Sequence, residues 1–146
     1  MKSLSITLPA TPTIAPTGTT NNVSLYQLVD QLMNSFIPLA VNQHSFIIND
    51  VKETFQLHAD EQVLAFVIGN LLNNAINCSH NACIRIEAES KPEGVQIRVR
   101  NNASNYYSTI AHGFSEVVAA ARSLGGHINI YNQRHEGTVI TFSMAA

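Results

Sequence analysis

Charge is the scarcest ingredient of this 146-residue chain: Asp, Glu, Lys and Arg together make up 12%, and the formal net charge is -2. No run of Lys or Arg occurs, so an electrostatic nucleic-acid binder is excluded. No apolar stretch approaches the roughly 20 residues that a membrane span needs. The opening "MKSLSITLPATP" has one Lys and no continuous apolar core, which argues against a secretory signal. Only two cysteines occur, Cys78 and Cys83, too few for a disulfide framework, and they read as small apolar residues of a reducing compartment. A cytoplasmic protein is therefore expected. The six histidines show no metal-ligand spacing, and neither a Ser-His-Asp nor a Cys-His arrangement can be defended.

Hydrophobic residues, at 45%, are what the chain has in quantity, enough for one domain with a real core. Residues 1–22 are rich in Thr and Pro without helical period and read as a linker or arm, in which Ser5 to Leu8 suit an edge strand. The remainder, 23–146, reads as the domain. Ser24 is a natural N-cap for a helix in which Leu25, Leu28, Val29, Leu32 and Phe36 keep helical spacing, and Pro38 is expected to kink or end it. "SFIIND" and "TFQLHA" are short strand candidates, and Asp60 can cap a second helix running to about Cys78. "CIRIEAE" and "VQIRVR" alternate apolar and charged residues around the turn "SKPEG", the pattern of an antiparallel hairpin with one wet face. A helix over 115–124 stops at Gly125-Gly126, and "HINIYN" with "GTVITFSM" makes a second hairpin around "QRHE". No internal repeat is evident. Helices and strand pairs in this order predict an α+β fold, a two-layer sandwich whose mixed, mostly antiparallel sheet is covered on one face by three helices.

The second helix poses the functional question. In "VIGNLLNNAINCS", four of thirteen residues are asparagine, a poor helix former because its amide competes for nearby backbone hydrogen bonds. At about 100° per residue, Leu64, Val67, Ile68, Leu71, Leu72 and Ala75 share one face, and Asn70, Asn73, Asn74 and Asn77 form a stripe on another side. A solvated face is the plain reading, although Lys, Glu or Gln would fill it at less cost to the helix. A neutral amide can also ligate a hard cation and hydrogen-bond phosphate oxygens.

"ADEQVLAFVIGNLLNNAINCS" resembles the N box of the ATP-binding domains of sensor histidine kinases. These belong to a superfamily shared with gyrase B, heat-shock chaperones and MutL. "ARSLGGHINIYNQRHEGTVITFSM" resembles the closing part of the same domains, and the resemblance spans residues 23–144. It implies the Bergerat fold, in agreement with the element order. It further implies that Asn70 and Asn74 face the nucleotide phosphates, that Asn74 ligates Mg²⁺, and that Asn77 stands where these kinases often have a phosphate-reaching Lys. An amide at Asn70, where ATP-hydrolysing relatives have Glu, cannot act as a general base.

The second half departs from the family pattern. "VRNNASN" stands where the family has V-x-D-x-G-x-G, so the adenine-binding Asp becomes Asn101 and the two glycines become Ala103 and Asn105. Asn still offers a carbonyl to the adenine amino group but loses the charge. The lid is short. Thr109, Ala111 and Gly113 stand for three glycines of a phosphate-cradling loop, and Gly113 equally suits a tight turn. Thr138 matches the Thr near the adenine pocket and is also an ordinary strand residue. Tyr106-Tyr107 suit either stacking on a base or covering the pocket. His135-Glu136 falls in a hairpin turn and reads as surface loop. The expected cofactors are ATP and Mg²⁺, held weakly or lost, without self-phosphorylation. The expected partners are a response regulator or a separate dimerisation domain bearing the phosphoacceptor. The alternative is a pseudo-ATPase kept as an interaction or phosphotransfer scaffold.

Overall fold

The computed structural model describes residues 20–77, 80–102, 115–133 and 137–145. Strand β1 (Asn21–Ser24) runs into helix α1 (Leu25–Asn42), followed by β2 (Phe46–Asn49), β3 (Gln56–Ala59) and helix α2 (Glu61–Asn77). The hairpin β4 (Cys83–Lys91) and β5 (Gly94–Asn101) comes next, then helix α3 (Ser115–Ser123) and the hairpin β6 (Gly126–Gln133) and β7 (Gly137–Met144). The architecture is α+β: among the described residues, three helices cover a mixed five-stranded sheet of order β2-β4-β5-β7-β6, and β1 with β3 forms a small antiparallel sheet apart from it. Only the β2–β4 pairing in the large sheet is parallel.

Local chemistry sets the boundaries. The Ser24 hydroxyl accepts from the Gln27 N–H at 3.4 Å, and the Asp60 carboxylate accepts from Gln62 N at 3.1 Å and Val63 N at 3.4 Å, so each side chain caps its helix. Pro38 does not end α1, which continues to Asn42. Its ring removes one backbone donor, but apolar packing of Phe36, Leu39 and Ala40 on the core holds the last turns. Gly125, at φ +76°, closes α3 by donating to the Arg122 carbonyl at 2.9 Å.

The core lies between the layers. Leu64, Val67, Ile68, Leu71, Leu72 and Ala75 of α2 are all fully buried, as are Ile84, Ile86, Ile97 and Val99 of the central hairpin. α1 packs on β2 and on α2, and α3 packs on α2 and β6. Among the described residues no helix covers the opposite face of the sheet, which is wet. There, Arg98 and Arg100 meet Glu87 at 3.3 and 3.0 Å, and Arg85 meets Asp50 at 3.2 Å. Cys83 is a half-buried free thiol, while Cys78 and the Ser5–Leu8 strand expected from the sequence lie outside the described residues.

Candidate functional site

The asparagine stripe runs along the C-terminal half of α2. Asn70, Asn73 and Asn74 are half-buried and Asn77, the last helical residue, is exposed. Two of these amides turn back on the helix: Asn70 Nδ2 donates to the Phe66 carbonyl at 2.7 Å, and Asn77 Nδ2 donates to Asn73 Oδ1 at 3.2 Å. An amide that donates into its own helix offers its carbonyl oxygen as the group for a cation or a donor.

Strand ends bring two further predicted residues to this helix. Asn101 closes β5 and is paired in register with Thr138, the second residue of β7, and both are fully buried. Asn101 Nδ2 donates to the Ala75 carbonyl of α2 at 3.0 Å, one residue beyond Asn74. Asn101 and Thr138 are thus held directly beneath the turn of α2 that carries Asn74. Among the described residues the Thr138 hydroxyl has no hydrogen-bond partner, an arrangement that costs about 1–3 kcal/mol when a polar atom is buried. A buried hydroxyl left over beside an amide suits a polar ligand at this junction.

Gly137 makes the junction possible, and its role was not foreseen beyond its place in the "EGTVITF" motif. At φ +88°, a Cβ there would lie 2.0 Å from the Asn101 carbonyl oxygen and 2.6 Å from Asn102 Cα. Only glycine lets β7 start this close to the end of β5. Asn102 extends the lock, its Oδ1 accepting from the Cys83 N–H at 3.1 Å. The Ala75 carbonyl could not have been named from sequence, because a backbone acceptor carries no residue signature. Gly113, with Ala103, Asn105, Tyr106, Tyr107, Thr109, Ala111, His135 and Glu136, lies outside the described residues. Two concavities lie elsewhere, one among Lys91, His127 and Met144 at the opposite end of the sheet, the other among Leu28, Gln31 and Glu61 between α1 and the start of α2. Among the described residues no group of three or more His, Cys, Asp or Glu could hold a metal ion.

No protein-family model matches the sequence, and neither does any curated protein. Solved structures do match. The histidine kinase AdeS of Acinetobacter baumannii superposes with a TM-score of 0.76 at 16% identity, over 87% of this chain and 67% of that one. The catalytic domain of the histidine kinase ThkA gives 0.75 at 21% identity, over 87% and 97%. ThkA in complex with the response regulator protein TrrA gives 0.72 at 21%, this chain spanning 41% of that one. The ATP-binding domain of PrrB from Mycobacterium tuberculosis gives 0.70 at 16%, over 87% and 97%. The junction of α2 with the ends of β5 and β7 thus sits in a chain that has the fold of the ATP-binding catalytic domains of histidine kinases.

Proposed function

We propose that residues 23–146, preceded by an arm over 1–22, form a cytoplasmic, histidine-kinase-like ATP-binding domain of two-component-type signal transduction. It holds Mg-ATP weakly and does not phosphorylate itself. The observation that carries this reading is the buried Asn101–Thr138 pair under the Asn74 turn of α2, with the Thr138 hydroxyl unpartnered. In this reading the Asn101 amide is oriented by Ala75, so that Oδ1 is its acceptor for the adenine amino group, and Thr138 contributes its hydroxyl nearby. Asn74 would ligate Mg²⁺ through its carbonyl, and Asn70 and Asn77 would line the phosphates, with Gly113 at the lid. When bound, the nucleotide supplies a γ-phosphoryl group and the metal neutralises its charge. This chain supplies orientation alone: it has an amide at Asn70 where hydrolysis would need a base. None of the three described helices carries a histidine, so in this reading the acceptor lies outside them. ThkA, with the same fold, has been seen with a response regulator, and a partner of that kind or a separate phosphoacceptor domain fits here.

A second reading is favoured by the inward-turned amides. With the amides of Asn70 and Asn77 each tied back by one N–H within α2, fewer N–H groups are left for phosphate oxygens, as in a pseudo-ATPase kept as a scaffold. Titration calorimetry with Mg-ATP separates the two. Weak, Mg²⁺-dependent binding lost in Asn74→Leu, with folding stability retained, supports the first reading. No heat of binding at millimolar nucleotide supports the second, and steady phosphate release would contradict both.

A further inference from the structure

The groove between α1 and the start of α2 encloses about 610 Å³. Leu28 and Leu32 of α1 and Ala65 of α2 give it an apolar floor, and Gln31 and Glu61 stand on its rim. A longer side chain at position 65 would fill the trough, and Ala65 leaves it open. Asn21, the first residue of β1, lines the same groove. The chain that precedes it, residues 1–19, therefore joins the described part of the molecule at this groove.

That preceding chain has the chemistry to fill it. "PTIAPTG", residues 12–18, sets one large apolar side chain, Ile14, between Pro12 and Pro16 and ends on Gly18. Proline pre-sets an extended backbone that loses little entropy on docking, and glycine permits the reversal that brings Ile14 back over the groove. The seven steps from Ile14 to Asn21 (21 − 14) reach about 20 Å at roughly 3.1 Å per residue. Leu28 and Leu32 are only about 6 Å apart along the helix axis, so the reach is ample. Charge agrees in sign. Residues 1–29 contain no Asp or Glu and one Lys, Lys2, whereas α1 and α2 carry Asp30 and Glu61 and neither Lys nor Arg. We propose that the arm is an intramolecular strap, in which residues 12–16 lie along the groove and Ile14 rests on Leu28, Leu32 and Ala65, bracing α1 against α2. A segment tethered this closely acts at an effective concentration on the order of millimolar. A contact of a few side chains then suffices, where a separate peptide of the same sequence would not stay bound.

The chain has no tryptophan, so one introduced indole reports the contact without any nucleotide present. In the full chain, Ile14→Trp should show blue-shifted emission and acrylamide quenching several-fold slower than in urea. Adding Ala65→Gln, which fills the trough with a good helix former, should bring both close to their unfolded values while the circular dichroism stays unchanged. In the reciprocal experiment, Gln31→Trp at the exposed rim should be shielded by the native arm and opened by Ile14→Lys. Each difference should be independent of protein concentration. Release of either indole by its counterpart substitution supports the strap. The proposal is overturned if neither indole is shielded or if the shielding is indifferent to both substitutions. Shielding that fades on dilution, as contact between separate copies would, overturns it equally.

Discussion

Glu87 on the bare face of the sheet meets two guanidinium groups, Arg98 at 3.3 Å and Arg100 at 3.0 Å. On the opposite layer α1 and α2 together carry one Asp and one Glu within their bounds, Asp30 and Glu61, and no Lys or Arg. The first surface satisfies its charges within itself, in contact with water, where each pair contributes little. The second presents amides and exposed apolar groups, the chemistry of a surface meant for something other than solvent. Where the chain is rich in charge, the charges are already answered. Where it lacks charge, amides and exposed apolar groups remain.

Single substitutions sharpen the contrast. The largest effect is expected at Gly137→Ala, where the added Cβ would meet the Asn101 carbonyl oxygen and the backbone is left-handed. A loss of about 3–5 kcal/mol or outright failure to fold should appear in thermal unfolding. Asn101→Asp, which restores the acid of the family pattern, should cost about 2–4 kcal/mol in the free protein. It replaces the donor to the Ala75 carbonyl by a buried carboxylate. Urea unfolding measures this, and a neutral result would mean that the amide of Asn101 is not held as described. Glu87→Gln on the ion-paired face should change stability by at most about 1 kcal/mol, since its partners Arg98 and Arg100 remain partly solvated. The residual effect should shrink in high salt. A larger loss there than at Asn101 would break the comparison.

Most of the fold was legible because the local signals agreed. The capping residues Ser24 and Asp60, the alternation through Ile84, Ile86 and Ile97, and the stop at Gly125 each acted as written. Of the two outcomes expected at Pro38, an end to α1 does not occur, because packing along α1 outweighs one missing backbone donor. The separate β1–β3 sheet and the parallel entry of β2 were not legible, since strand partnership over long sequence separation leaves no local mark. The resemblance named Asn70, Asn74, Asn77, Asn101 and Thr138 as candidate site residues. The directions of the Asn70 and Asn101 amides were not legible, because they depend on the backbone carbonyls of Phe66 and Ala75.

The parallel entry of β2 also bears on the order in which the molecule assembles. The hairpins β4–β5 and β6–β7 close over short turns, whereas β2 must wait for a partner segment far along the chain, as in the Ser45–Ala82 hydrogen bond 37 positions apart. Loop-closure entropy makes such a pairing late. The β5–β7 pairing spans as much chain or more, 37 positions at Asn101–Thr138 and 49 at Val95–Met144. What sets β2 apart is therefore its four-residue length and single described partner, and its amides should exchange with solvent well before those of β5 and β7.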